Sequence, residues 1–337
     1  VQQSLRAMQT AGARCVVSEV SSHAMDQGRV RGVTFDLAVL TNLTRDHLDY
    51  HGDLESYAEA KRKLFHSDGL RYAVINADDN FGSALLDAIP PGVAPIAYRL
   101  ENDPFRTRFP AQWVIGRNLQ FDVNGLSMDV QTPWGSGSLH CGLLGRFNAS
   151  NLLATLASLC VVGLPFQEAL RRLAVTRTVP GRMERFDMGE GRPLAVIDFA
   201  HTAAALEAVL RSLRAHCGGK LWCVFGAGGD RDRGKRSLMG AVAERYADEI
   251  VLTDDNPRTE DAQRIIDDIC SGLKQPATVH IEHDRAHAIG WAMRHAGAED
   301  IVLIAGKGHE SVQIVGNRAV PFSDRERVRA IAREWSR

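Results

Sequence analysis

The sequence predicts an α/β protein of two domains, the second built on a doubly wound parallel sheet. Three observations lead there. Its 337 residues exceed one ordinary core, since a domain takes roughly 100 to 200 residues. Strand and helix signals alternate along the chain. From Pro193 onward, short apolar runs separated by helical stretches each end in a polar cluster.

In the first half, RCVVSEV (14–20) and FDLAVLTNL (35–43) read as strands, SYAEAKRKLF (56–65) as a helix and YAVINADD (72–79) as a strand. Between Trp113 and Cys141 the pattern changes to short alternating runs. This predicts a small antiparallel sheet with Asn124-Gly125 as a two-residue hairpin turn. An apolar helix over 151–162 is stopped by Gly163 and Pro165, and a shorter amphipathic helix follows over 167–173. VTRTVPGR (175–182) reads as a linker.

The second half is more regular. Strands LAVID, LWCVF, EIVLT, TVHIE and DIVLIA alternate with helices beginning near Ala203, Ser237, Asp261 and Arg285. SVQIVGNRAVPF reads as a hairpin, and Ser323 with Glu326 forms a capping box for a last helix, DRERVRAIAREW.

Composition excludes several classes of function. A hydrophobic fraction of 45% with 24% charged residues is that of a globular chain. A net charge of -1 provides no overall attraction to nucleic acid or an anionic membrane. No apolar run reaches the roughly 18 residues of a membrane span, and VQQSLRAMQTAGARC lacks the features of a signal peptide, so a cytoplasmic location is expected. The six cysteines contain no C-x-x-C pair, which argues against a zinc site and a disulfide framework.

Ligands of open α/β sheets bind beyond the carboxyl ends of the strands. Four polar clusters fall there: Asp198 with His201, GAGGDRDRGKR (226–236), TDDNPR (253–258) and GKGHE (306–310). Their glycines let backbone N–H groups approach an anion. Arg231, Arg258 and Lys307 supply charge, and Arg258 can clamp a carboxylate with two parallel hydrogen bonds. Gly229 to Lys235 matches the spacing G-x-x-x-x-G-K, but Arg236 stands where a phosphate loop requires Ser or Thr. In the first half, Glu19 ends one strand, and Asn42, Asp46 and His47 follow the next, a set suited to a divalent ion. From position alone, His47 capping a loop and Glu19 facing solvent stays open, and Lys61 reads as a surface residue.

The words EVSSH, TNLTRDHLDYHGD, EAKRKLF, INADD, RFNASN, PGRME, DFAHT, FGAGGDRDRGKR, TDDNPRTED and AGKGHE, in this order, resemble the Mur ligases, closely the diaminopimelate-adding (MurE) type. The resemblance runs from near Glu19 to the final helix. It implies a truncated central ATPase domain over 1–178 and a Rossmann-like, amino-acid-binding C-terminal domain over 179–337, with closure about 179–181. The uridine-binding domain and the G-T-T-G-K-T-like phosphate loop of the family are not within these 337 residues. The isolated chain is therefore expected not to turn over ATP, leaving an amino-acid-binding module.

The same resemblance implies that Glu19 and His47 bind Mg2+ and that Lys61, as a carbamate, is the third ligand. Ser21, Gln27 and Arg29 would hold UDP-MurNAc-L-Ala-D-Glu. Asn148, Asn151, Arg182, Asp198 and His201 would lie around ATP. Arg231, Asp255, Asn256, Pro257, Arg258, Gly306 and Glu310 would form the pocket for meso-diaminopimelate. An arginine recognises the carboxylate that lysine lacks, and a carboxylate such as Glu310 holds the ammonium. A monomer is expected, and a lysine-adding or folylpolyglutamate-type ligase is the alternative. One departure stands out: where the family reads D-Y-A-H-T/K-P-D/E, this chain has Asp198-Phe199-Ala200-His201-Thr202-Ala203-Ala204. The proline that fixes a helix start and the acid that favours a helix N-terminus are both replaced.

Overall fold

The computed structural model describes residues 1–44, 48–100 and 111–336. Contacts divide the chain into two units. Val1–Leu119, Ser127–Leu139 and Phe147–Ala174 form the first; Gln120–Leu126, His140–Arg146 and Val175–Arg337 form the second. Among the described residues no helix is long and apolar enough to cross a membrane.

The chain opens with α1 (Gln2–Thr10), α2 (Ser22–Asp26), β1 (Leu37–Leu40), α3 (Leu48–His51) and α4 (Leu54–Phe65). β2 (Tyr72–Asn76), α5 (Asn80–Asp87), β3 (Ala94–Leu100), β4 (Gln112–Asp122), β5 (Gly125–Thr132) and β6 (Gly135–Cys141) follow, then α6 (Arg146–Val161) and α7 (Phe166–Ala174). The six strands form one sheet in sequence order, with β1 to β4 parallel. The run from Trp113 therefore extends the parallel sheet instead of forming a separate one. β4 turns into β5 through Val123 and Asn124, one residue earlier than expected. Gly125 opens β5 at φ +136, where a Cβ would lie 2.1 Å from the Cys141 carbonyl oxygen.

The expected strand at 14–20 is not formed. Val17 is 94% and Val16 42% exposed, and β1 is the edge of the sheet. An apolar run becomes a strand only where a neighbour takes its backbone groups and covers a face. α4 shows the opposite case. Asp53 caps it by accepting from the Ser56 N–H at 2.7 Å, and Tyr57, Ala58, Ala60 and Phe65 bury one face.

The second unit contains β7 (Glu184–Phe186), β8 (Leu194–Asp198), α8 (Ala203–Arg214), β9 (Leu221–Phe225), α9 (Gly234–Tyr246) and β10 (Glu249–Leu252). α10 (Ala262–Cys270), β11 (His280–Ile281), α11 (Arg285–His295), β12 (Ile301–Ala305), the hairpin β13 (Val312–Val315) and β14 (Arg318–Pro321), and α12 (Asp324–Trp335) complete it. The sheet order is β11-β10-β9-β12-β8-β7, parallel except for β7. One face is covered by α8, α9 and α10 through Leu206, Met239 and Ile265. The other is covered by α11 and α12 through Ile289 and Val328. Every residue of β8, β9 and β12 is buried, which is why these strands read as unbroken apolar runs. Each buried Leu or Ile contributes about 1.5–3 kcal/mol. β12 inserts between β8 and β9, so the loops after these strands meet where the winding reverses.

Candidate functional site

The loop after β8 is held from within. The Asp198 carboxylate accepts from the N–H groups of Met183 and Ala200, both at 2.8 Å. Burial pushes its carboxyl above the ordinary value, and those two N–H groups offset part of the rise. Asp198 thus ties segment 181–183 to β8. His201 is exposed, its Nδ1 2.8 Å from the Phe199 carbonyl, and the Arg182 guanidinium lies 4.9 Å from the Phe199 ring centre. α8 starts without proline because the Thr202 hydroxyl accepts from the Ala205 N–H at 3.3 Å.

The glycines after β9 are there for packing. A Cβ on Gly226 would lie 2.0 Å from the Thr253 carbonyl oxygen, and one on Gly229 would lie 1.9 Å from that of Pro257. The loop after β10, with Pro257 buried in it, presses on them. Arg236, in the position a phosphate loop reserves for Ser or Thr, is fully buried. It donates to Glu260 at 2.9 and 3.1 Å, to Asp268 at 2.8 Å and to the Gly228 carbonyl at 3.1 Å. This segment is a structural clamp and not a phosphate loop. Arg258 has φ +52, strained for a non-glycine residue. Its backbone bonds with β13, N–H to Ile314 at 3.0 Å and carbonyl from Gly316 at 2.7 Å, hold it there. That pose brings its Nη1 2.7 Å from the Gly229 carbonyl, and Arg231 lies beside it, since a Cβ on Gly228 would meet Arg258 Nη1 at 2.9 Å and Arg231 Cγ at 3.7 Å.

The loop after β12 completes the cluster. Lys307 is fully buried, its Nζ donating to Asn256 Oδ1 at 3.0 Å and Glu310 Oε2 at 2.9 Å. Asn256 Nδ2 donates to the same Glu310 oxygen at 3.0 Å. Burial alone would raise the Glu310 carboxyl, but bonds from Lys307 and Asn256 outweigh it and hold it below its ordinary value. Gly306 adopts φ +115, and a Cβ there would meet an Asp255 carboxylate oxygen at 2.5 Å. Asp255 is 8% exposed, yet its carboxylate accepts no hydrogen bond among the described residues. Its oxygens therefore keep access to solvent, and a ligand that brings a donor can replace that water.

Beneath this cluster Arg285, also fully buried, makes a two-pronged pair with Asp324 at 2.8 and 2.9 Å and donates to the Ala305 carbonyl at 2.9 Å. Arg236, Arg285, Glu260 and Asp324 escape sequence reasoning, since nothing in the spacing separates them from surface charges. The structure brings together Arg231, Asp255, Asn256, Pro257, Arg258, Gly306 and Glu310 at the carboxyl ends of β9, β10 and β12.

In the first unit, Ser21 caps α2 by accepting from the Ala24 N–H at 3.1 Å, and Gln27 Nε2 donates to the Tyr50 hydroxyl at 3.1 Å. Arg29 and Glu19 are exposed. Lys61 projects from α4, half-buried, with Nζ 5.2 Å from the Tyr57 ring centre. Asn148 and Asn151 lie in the first turns of α6. His47 and Asp46 lie outside the described residues.

A doubly wound domain with charged loops gathered at its switch point, preceded by a second α/β sheet, defines an α/β protein of the class whose ligands bind at such switch points. The profile of the Mur ligase middle domain matches residues 1–159, and that of the Mur ligase, glutamate ligase domain matches residues 181–308. The chain is 49% identical over 326 residues to a UDP-N-acetylmuramoyl-L-alanyl-D-glutamate--2,6-diaminopimelate ligase of Coxiella burnetii, covering 97% of this chain and 66% of that protein. It is 51% identical over 328 residues to the ligase of that name from Alkalilimnicola ehrlichii, covering 97% and 64%. A solved structure of a ligase so named superposes with a TM-score of 0.75 at 38% identity, covering 95% of this chain and 64% of that one. The chain thus spans about two thirds of the length of these relatives. It belongs to the Mur ligase family.

Proposed function

We propose that this chain is the part of an ATP-dependent ligase that joins meso-diaminopimelate to UDP-MurNAc-L-Ala-D-Glu in the cytoplasmic synthesis of peptidoglycan precursors. The observation that carries this reading is the pocket around Asp255. A largely buried carboxylate, with oxygens open to an incoming donor and no hydrogen bond from the described residues, faces Gly306 beside Arg258 and the Lys307–Glu310–Asn256 network. An amino acid whose far end carries both an ammonium and a carboxylate satisfies that arrangement. Its ammonium goes to Asp255 and the free oxygen of Glu310, and its carboxylate to Arg258 and Arg231. A lysine side chain would leave the arginines without their anion.

Ser21, Gln27 and Arg29 would hold the muramoyl peptide, and Asn148, Asn151, Arg182, Asp198 and His201 would lie around ATP. Asp198 acts there by fixing the backbone next to Arg182. Glu19, His47 and Lys61 as a carbamate would hold Mg2+. A donor set of two oxygen groups and one imidazole fits that ion, and Lys61 has no ion pair among the described residues for carbamylation to break. Magnesium held there would neutralise charge on the phosphoryl group passing to the glutamate side-chain carboxylate. The amine of diaminopimelate attacks the resulting acyl phosphate, the C–N bond forms, and the C–O bond to the leaving phosphate breaks.

Calorimetry tests the pocket. The chain should bind meso-diaminopimelate, and Arg258→Ala should weaken binding by about 2 kcal/mol or more. A preference for L-lysine would point instead to a lysine-adding ligase.

A further inference from the structure

We propose that Lys307 sets the amino-acid selectivity of this pocket by placing a buried positive charge that a zwitterionic end group tolerates and a lone ammonium does not. The proposal rests on the amino-acid-binding reading above. Arg231, Arg258 and Lys307 stand around the pocket against Asp255 and Glu310; Lys235 also lies near Asp255, and Arg285, behind Asp255 and Glu310, is answered by its own partner Asp324. Arg231 is exposed and Arg258 partly so, while Lys307 has no solvent exposure at all. Its charge is therefore the least screened of the three.

Lys307 also decides which oxygen of Glu310 a ligand meets. Its Nζ and the Asn256 Nδ2 both donate to Oε2, at 2.9 and 3.0 Å, leaving Oε1 without either donor. Asn256 is fixed in turn, because its Oδ1 accepts from Lys307 at 3.0 Å and from the Ile314 N–H at 2.9 Å. An incoming ammonium is thus offered one carboxylate oxygen already half neutralised, plus Asp255. The end group of diaminopimelate adds no net charge to the pocket. The side-chain ammonium of lysine adds one positive charge beside a buried cation, with no carboxylate to answer the arginines. Lys307 therefore acts through repulsion of the wrong ligand as well as by orienting Glu310.

Titration calorimetry of the 337-residue chain with meso-diaminopimelate and with L-lysine tests this in the wild type, Lys307→Met and Lys307→Gln. Removing the charge should weaken diaminopimelate binding and leave lysine binding unchanged or tighter, narrowing the preference by about tenfold or more. Equal losses for both ligands, or an unchanged preference, would show a merely structural role and overturn the proposal. Because a buried lysine can be essential for folding, Glu310→Gln provides a second test of opposite sign. It leaves the Lys307 charge unopposed, so lysine binding should fall by more than diaminopimelate binding, and an equal fall counts against the proposal. If the wild type binds neither amino acid, the amino-acid reading fails and this inference with it. If it binds diaminopimelate and both Lys307 variants keep its selectivity, only the inference fails.

Discussion

The Arg285 side chain carries its charge with no exposure to water, and the carboxylate it pairs with, Asp324, is equally buried. Removing two ions from solvent is expensive, and their attraction repays it only when the geometry is good and the remaining donors are satisfied. Both conditions hold, since the contact is two-pronged and a further N–H reaches the Ala305 carbonyl at 2.9 Å. That carbonyl immediately precedes Gly306, so the pair fixes the start of the loop that carries Lys307 and Glu310. Arg285→Met should destabilise the protein by about 3–5 kcal/mol by stranding Asp324. The double variant with Asp324→Leu should recover much of that loss, as read from denaturant unfolding. Additive losses in the double variant would mean that the two residues do not act as a pair.

Among the elements, α9 and the loop after β10 are joined through one carboxylate. Hydrogen bonds from Arg236 are the main cause that holds the Glu260 carboxyl at about 2 against an ordinary 4.5, with the charge of Arg233 adding to it. A carboxyl depressed on folding stabilises the folded state fully above its unfolded value and loses that contribution as pH falls towards its folded value. Stability should therefore drop between about pH 4.5 and about pH 2. Glu260→Gln should cost about 2 kcal/mol at pH 7, where a charged hydrogen bond is lost, and progressively less at pH 3. Urea unfolding at the two pH values gives both numbers, and a constant difference would contradict the linkage. At this scale the apolar strands β8, β9 and β12 were readable because complete burial leaves unbroken hydrophobic runs. Residues 14–20 also carry an apolar run but pair with no strand among the described residues, and a linear pattern cannot reveal whether a partner strand is present. The glycines after β9 were visible as a cluster, but their cause, the carbonyls of Thr253 and Pro257, is distant in sequence.

For the molecule as a whole, the two units have separate cores, and the residues of the proposed amino-acid pocket all belong to the second. The polar clusters after the parallel strands could be collected from the sequence because the winding rule brings those strand ends together, while the choice of pocket residues within them rested on the resemblance. The buried ion pairs beneath them could not, because burial of an arginine is decided by packing across elements. This division predicts where ligand binding will be felt. Meso-diaminopimelate at 100 times its dissociation constant should stabilise the unit that binds it by about 2.7 kcal/mol. Trp222 and Trp291 lie in that unit, packed against each other with ring centres 6.0 Å apart, whereas Trp113 and Trp134 belong to the first. Chemical unfolding followed in variants retaining tryptophan in only one unit should show a ligand-dependent midpoint for the second unit. It should show none for the first if the two unfold independently. With affinity weakened by about 2 kcal/mol, Arg258→Ala should cut the shift to about 1 kcal/mol or less at the same ligand concentration, measured against the variant's own ligand-free midpoint. An undiminished shift would place the diaminopimelate site elsewhere.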